Sequence, residues 1–144
     1  MYLGIKLLRH SQTVKKTKLK KVSKLPISKI QRLLWEECRR LATILYESDC
    51  YTCEAKNLQG SNRQLGHVPW PKSVLGAATK YDMRFLRWQC MRCNIHGGGM
   101  GAEAYKKMVS DIGQEFVNQM DKDRHSLVKA YDHYLLLLAE YKTK

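Results

Sequence analysis

Two cysteine pairs constrain the fold of this 144-residue chain more than any other feature of its sequence. Cys50 and Cys53 form one C-x-x-C pair, Cys90 and Cys93 form a second, and 36 residues separate the two pairs. Two such pairs supply four thiolates in two tight turns, which is what a tetrahedral structural zinc ion requires. The sequence therefore predicts a core held together by zinc, with reduced, uncoordinated cysteines as the alternative.

The charge of the chain is strongly positive and unevenly distributed. Lys and Arg total 26 against 13 Asp and Glu, and residues 1–35 contain ten basic residues and no acidic one. Such a field favours a polyanionic partner, with nucleic acid ahead of an acidic membrane surface, and the alternative is a solvated tail without a partner. We interpret residues 1–25 as a flexible basic arm, because its apolar residues are too sparse to offset the entropy of ordering.

The sequence gives no indication of a membrane-spanning segment. No run approaches the ~18 consecutive apolar residues that a membrane span needs. The opening segment lacks the apolar stretch of a secretory leader, and its Lys-rich composition differs from the Arg and Ser content of an organelle transit peptide. We expect a reducing cytoplasm, where paired cysteines serve as metal ligands more often than as disulfides.

Apolar periodicity predicts helices on both sides of the cysteine region. Residues 28–47 carry apolar side chains at helical spacing behind Pro26, which suits a helix start. Trp35 and Cys38 within this helix are interpreted as packing residues. The segment from 48 to 101 is rich in Gly, Pro, Cys and His without sustained helical period, which indicates a compact region of loops and a hairpin.

Two more helices are predicted after the sequence HGGGMG, over residues 102–120 and 123–141. One face of the last helix suits docking on the core or against a second copy of the chain. Its apolar positions are Leu127, Tyr131, Tyr134, Leu135 and Leu138.

The segment between the cysteine pairs contains RQLGHVPW, in which His67 follows Gly66. The neighbouring Gly and Pro place this imidazole at a strand end or turn and not on a helical face. A lone His is more often a packed or surface residue than a general base, because a base also needs a reacting group to serve.

The order of the motifs is more informative than any one of them. The layout C-x-x-C, Gly-His, Q-C-x-x-C-N, a Gly-rich turn and a helix with a Tyr resembles the HNH, or ββα-metal, nucleases that carry a four-cysteine zinc site. More narrowly it is similar to the lambda NinG (Rap) recombination-nuclease family, and the phage endonuclease VII resolvases share the Cys pairs and the Asn. The resemblance covers roughly residues 26–120 and rests on LLWEECRR, CYTC, LGH, MRF, QCMRCN, HGGGMG, Tyr105 and DIGQEFVNQM.

This resemblance implies an α+β fold. A ββα-metal core with a structural zinc site would be flanked by an N-terminal helix and by C-terminal helices. The nuclease domain would span residues 26–120, and a C-terminal helix would occupy 121–144.

The resemblance also implies roles for two polar residues. His67 would be the general base, and Asn94 would bind or position a catalytic Mg²⁺ or Mn²⁺. Gly66 stands where many HNH enzymes have an acidic residue or a second His, so the second protein ligand of that metal is open: His96 is the first candidate, and Asp49, Asp82 and Glu103 are weaker ones. The middle Asn of the HNH triad is missing as well, so a backbone carbonyl or another side chain would have to orient His67.

Basic residues near the motifs suit a phosphodiester substrate, because phosphate contacts position DNA without reading its sequence. The expected DNA-binding residues are Arg63, Lys72, Lys80, Arg84, Arg87 and Arg92. Trp70 and Trp88 are interpreted as core residues ahead of base-stacking ones.

The expected activity is cleavage of branched or junction DNA in phage recombination, in the cytoplasm of the bacterial host, with a homodimer suited to symmetric cutting. The alternative is a zinc-stapled DNA-binding protein, derived from an HNH fold, that does not cut. A zinc deaminase is excluded, because HVP lacks the Glu and QCMRC lacks the Pro of that signature.

Overall fold

The computed structural model describes residues 25–144, so nearly all of the predicted basic arm lies outside the described residues. The described part contains four α-helices and two β-strands. In chain order these are α1 (Ile27–Leu45), β1 (Gln64–His67), β2 (Leu86–Gln89), α2 (Gly101–Ile112), α3 (Gln114–Asp123) and α4 (Ala130–Tyr141).

Helix α1 forms where apolar periodicity predicted it, with its ends displaced by one or two residues from 28–47. Ile30, Leu34, Cys38 and Leu41 recur on one face and are fully or nearly fully buried. This confirms Cys38 as a packing residue.

The first hydrophobic core lies between α1 and α4. Tyr134, Leu138 and Tyr141 of α4 pack against the buried face of α1. The two ends of the described chain therefore share one core, and the C-terminal helix closes over the N-terminal one.

Strands β1 and β2 pair in antiparallel orientation, with Leu65 opposite Trp88 and His67 opposite Leu86. A two-stranded sheet is marginally stable in isolation, so this hairpin depends on the groups packed around it. Leu65, Leu86 and Trp88 belong to the first core. The prediction that Trp88 is a core residue is confirmed, since 3% of it is exposed.

A second core supports the long connection between the strands. Val68 and Phe85 lie at the two ends of that connection and pack against Met108 of α2 and Val117 and Met120 of α3. Trp70 packs at the border of this core, with its ring 5.8 Å from that of Phe85.

The two predicted C-terminal helices differ from the observed ones. Gly113 has φ +90°, in the left-handed region that favours glycine, and it divides the predicted helix 102–120 into α2 and α3. Residues 124–125 form a turn, in which the Ser126 N–H donates to the Asp123 carbonyl, and residues 126–129 are irregular, so α4 starts later than predicted. Leu127 lies in this irregular segment, outside α4, and is 97% exposed, so its assignment to the packing face of the helix is wrong.

The observed architecture is a set of helices with a small antiparallel sheet, which agrees with the α+β prediction at that level. None of the helices in residues 25–144 is both long and apolar enough to cross a membrane.

Candidate metal centre and adjacent cleft

The four predicted zinc ligands come together. The Sγ atoms of Cys50, Cys53, Cys90 and Cys93 all lie within 4.8 Å of one another, and those of Cys53 and Cys90 are 3.7 Å apart. Zn–S bonds of about 2.3 Å in a tetrahedron place sulfurs about 3.8 Å apart, whereas a disulfide needs about 2.05 Å. The cluster can therefore hold a zinc ion.

The electrostatics of the cluster favour a bound cation. Burial opposes ionisation of Cys50, but backbone N–H groups of Cys53, Cys90 and Thr52 outweigh it and lower the pKa of that thiol to about 7. Burial and hydrogen bonds with the neighbouring sulfurs raise the pKa of Cys93. Four adjacent thiols cannot all ionise unaided, and a zinc ion supplies the opposing charge.

Backbone hydrogen bonds fix the two turns that carry the ligands. Cys50 accepts from the Glu54 N–H and donates its own N–H to the Ala55 carbonyl. The second pair begins a short π-helical turn over Arg92–His96, in which the Asn94 N–H donates to the Cys90 carbonyl. Asn94 directly follows the last cysteine of the cluster, and its side chain points toward the hairpin.

A cleft of about 430 Å³ opens beside the hairpin, between α1 and the second cysteine turn. It brings together segments that are far apart in sequence. Its lining residues are Gln31, Arg32, Trp35, Leu65, Gly66, His67, Lys72, Tyr81 and Asn94.

His67 is the last residue of β1, so its prediction at a strand end is confirmed. Its Nε2 lies 2.9 Å from the Lys80 carbonyl oxygen, which can accept only a hydrogen bond, so Nε2 carries the proton and Nδ1 is left as the acceptor. A backbone carbonyl therefore orients the ring. Burial lowers the pKa of His67 below its usual value near 6.5, the cations of Lys72 and Lys80 reinforce this, and the Lys80 carbonyl opposes it. Burial therefore favours the neutral imidazole.

Gly66 permits the close approach of two amide side chains. A Cβ at this position would lie 2.3 Å from Gln89 Oε1 and 2.7 Å from Asn94 Oδ1. Asn94 is oriented by its Nδ2, which donates to Gln64 Oε1 at 2.9 Å. A larger side chain at position 66 does not fit this packing.

Trp35 has a contact that its sequence context did not reveal. Its ring is stacked on the imidazole of His67, with centroids 5.6 Å apart and planes inclined by 17°. Its interpretation as a packing residue alone was incomplete. Arg32, one turn before Trp35 on α1, was also missed, because the sequence around it signals only an exposed helix face.

The expected DNA-binding residues have different surroundings. Lys72 lines the cleft and is exposed. Arg84 is paired with Asp82 and Asp123 at 2.6 and 2.7 Å. Arg87 donates to the Tyr46 hydroxyl at 2.8 Å.

The remaining basic candidates are Arg63, Lys80 and Arg92. Arg63 lies over the Trp88 ring, 4.1 Å from its centroid. Lys80 offers its carbonyl to His67. Arg92 lies beside the thiolates, which raise its pKa. Of the six predicted DNA contacts, Lys72 alone lines the cleft.

The candidates for a second catalytic-metal ligand are not among the residues that line the cleft. Asp49 accepts from Lys56 at 2.7 Å, and Asp82 is paired with Arg84. His96 and Glu103 are exposed on the π-helical turn and on α2. Their role as metal ligands stays a prediction.

The described residues of the cleft offer few protein ligands for a catalytic Mg²⁺. The described lining residues include the Asn94 amide but no Asp or Glu. Mg²⁺ in proteins is commonly bound by one or two carboxylates together with substrate phosphates and water. Asn94 would therefore hold this ion only jointly with a phosphate of the substrate.

Comparison with known proteins adds no relative: no family model, curated protein or solved structure matches this chain. The function is therefore inferred from the motif residues and from the geometry of the cleft.

Proposed function

We propose that this protein is a metal-dependent endonuclease that hydrolyses phosphodiester bonds in DNA. The observation that carries the proposal is the arrangement of the cleft: a neutral, oriented His67 shares it with Asn94, which the cysteine cluster holds in place, and with two cationic side chains. In this proposal β1, β2 and the helical segment after Cys93 form a ββα-metal core stapled by zinc.

His67 acts as the general base. With its Nε2–H held by the Lys80 carbonyl, Nδ1 accepts a proton from the attacking water. The oxygen of that water forms a bond to phosphorus, and the bond from phosphorus to the 3′ oxygen breaks. When bound, a divalent cation would supply Lewis-acid stabilisation of the developing negative charge.

Arg32 and Lys72 supply the charge that attracts the substrate. Both side chains are exposed and line the cleft. Both cations favour a phosphate in the cleft, and the charge of Lys72 also disfavours protonation of His67.

Branched DNA is the preferred substrate in this proposal, and the setting is phage recombination in the cytoplasm of the bacterial host. This preference comes from the resemblance to NinG-like nucleases. A homodimer would place two such clefts on a symmetric junction.

A second candidate function is DNA binding without cleavage. The absence of a carboxylate among the described cleft residues favours it, because such a site binds a divalent cation weakly before substrate arrives. Both candidates retain zinc as the structural metal.

Single-turnover cleavage of an end-labelled four-way DNA junction separates the two. A linear duplex of the same sequence is the control, and each is incubated with Mg²⁺, Mn²⁺ or EDTA. Cation-dependent cuts near the branch point support the nuclease. Tight binding with no cut under any condition supports the binding protein.

The Arg32→Ala variant tests which face of the protein holds DNA. It should reduce the slope of log affinity against log salt by about one. Arg39→Ala is the matched control, because Arg39 is exposed on the same helix but does not line the cleft. Equal effects of both variants would contradict the assignment of the cleft as the phosphate site.

A further inference from the structure

Two groups from distant segments of the chain contact the His67 imidazole. The Trp35 indole of α1 lies against one face of the ring, nearly parallel to it. The Lys80 carbonyl holds the edge of the ring at Nε2. A planar ring with one face covered and one edge bonded has little freedom about its terminal torsion.

We propose that Trp35 is a positioning residue for His67, which together with the Lys80 carbonyl restricts the imidazole to the Nε2–H tautomer with Nδ1 directed into the cleft. The inference rests on the proposed function only in naming His67 as the base. The restraint itself is a property of the stack and the hydrogen bond.

Both parts of this restraint are anchored in the first core. Trp35 lies between buried Leu34 and Cys38 on α1, so the helix cannot rotate its indole away without exposing that face. The residue after Lys80 in the strand connection is fixed to the core. The Tyr81 carbonyl accepts from the Tyr141 hydroxyl at 2.8 Å and lies 3.5 Å from Cys38 Sγ. Core packing of α1 and α4 therefore fixes both the indole and the carbonyl acceptor.

The stack does not act by making His67 a stronger base. An electron-rich indole face favours a cationic ring, whereas the burial that accompanies the contact favours the neutral form. Since burial prevails at His67, the contribution of Trp35 is orientation and exclusion of water.

The test compares Trp35→Leu and Trp35→Phe in the zinc-loaded protein. Imidazole ¹⁵N chemical shifts report the tautomer of His67, with His67→Gln used to assign its signals. The unmodified protein should show the Nε2–H form alone. Trp35→Leu should show a mixture of tautomers, and Trp35→Phe, which retains a flat ring, should restore the single form.

Trp70→Phe is the matched control, because Trp70 is also partly buried but packs against Phe85 and Tyr105. A folded Trp35→Leu protein with His67 still entirely in the Nε2–H form would overturn the proposal. If Trp35→Leu does not fold, the proposal is decided by Trp35→Phe against Trp35→Ala in the same measurement.

Single-turnover cleavage gives an independent readout. The maximal rate should fall by about 100-fold in Trp35→Leu with junction affinity unchanged, since a misplaced group costs about this factor. Trp35→Phe should recover most of the rate. A protein without any cleavage would overturn the proposed function, while the tautomer measurement would still decide the role of Trp35.

Discussion

The cysteine cluster and the His67 cleft are adjacent but are built in different ways. The cluster consists of two short turns, each closed by a backbone hydrogen bond of its own, such as that between Glu54 and Cys50, and the first turn is also bonded to β2 through the Tyr51 N–H and the Trp88 carbonyl. The cleft is assembled from α1, β1, the strand connection and the second cysteine turn. Short local turns fix most of the geometry of the cluster, whereas the cleft depends on long-range packing of the first core.

This difference means that the two polar residues of the cleft are positioned in different ways. Asn94 directly follows the last zinc ligand, so its position is inherited from the cluster, whereas His67 depends on Trp35 and the Lys80 carbonyl. Loss of the metal should therefore disturb the whole fold, and loss of a cleft residue should disturb chemistry with little effect on the fold.

The largest effect is expected for Cys90→Ser. Removal of one thiolate should release zinc and unfold the hairpin region, because a structural zinc ion contributes about 10 kcal/mol or more to folding. Zinc content by elemental analysis and circular dichroism on heating measure both losses. Cys38→Ala is the control: it removes a buried cysteine outside the cluster and should retain zinc and a cooperative transition.

Substitution of His67 comes next. His67→Ala should keep the zinc content and DNA affinity while reducing the cleavage rate by roughly 10²–10⁴-fold, the usual contribution of a general base. His125→Ala, at an exposed His on the turn before α4, should cleave normally. Full activity of His67→Ala would remove the proposed base and leave the binding-only function.

Gly66→Ala should affect both the cluster and the cleft, because Gly66 lies against Gln89 and Asn94. The added methyl group would overlap Gln89 Oε1 and Asn94 Oδ1, so one amide must move. We expect a loss of about 1–3 kcal/mol in unfolding free energy, as for other overpacked sites, together with impaired cleavage. Urea denaturation measures the first effect.

The matched control for this substitution is Gly76→Ala. A Cβ at Gly76 would find its nearest neighbour, the Arg124 carbonyl, at 3.5 Å, which is ordinary contact. Equal stability losses in both variants would mean that loss of glycine, and not contact with the two amides, causes the effect.

The two regions also differ in how far the sequence predicted them. The cluster was predicted residue by residue, since C-x-x-C spacing determines a turn geometry that requires no knowledge of the rest of the fold. Helix α1 followed from its apolar period. The break at Gly113 and the irregular segment at Leu127 did not, because an apolar repeat that stays in phase across a break looks continuous in sequence.

The cleft was only half predictable. His67 and Asn94 stood out through motif order, and the resemblance even required an alternative acceptor for the imidazole. The identity of that acceptor, a carbonyl 13 residues away, carries no side-chain signal. Trp35 and Arg32 enter the cleft because α1 packs across the hairpin, and no local pattern encodes which turn of a helix meets which strand.

The smallest effect expected is the pH dependence that arises from His67, and it distinguishes the cleft from the cluster. Burial lowers the folded pKa of this imidazole below its unfolded value near 6.5. Between those two values the unfolded chain binds more protons, so the stability contribution is complete above pH 6.5 and is lost as pH falls through the folded pKa. Protonation also removes the base, so cleavage should fall over that lower pH range, below 6.5.

Zinc thiolates protonate in acid too, and the informative quantity is therefore the difference in unfolding free energy between the unmodified protein and His67→Gln, measured by urea denaturation from pH 5 to 8. That difference should be constant above about pH 7. In acid the unmodified protein should lose stability relative to His67→Gln. A difference that does not change with pH would mean that His67 is not buried as a neutral ring, and the acid sensitivity of the protein would then belong to the metal cluster alone.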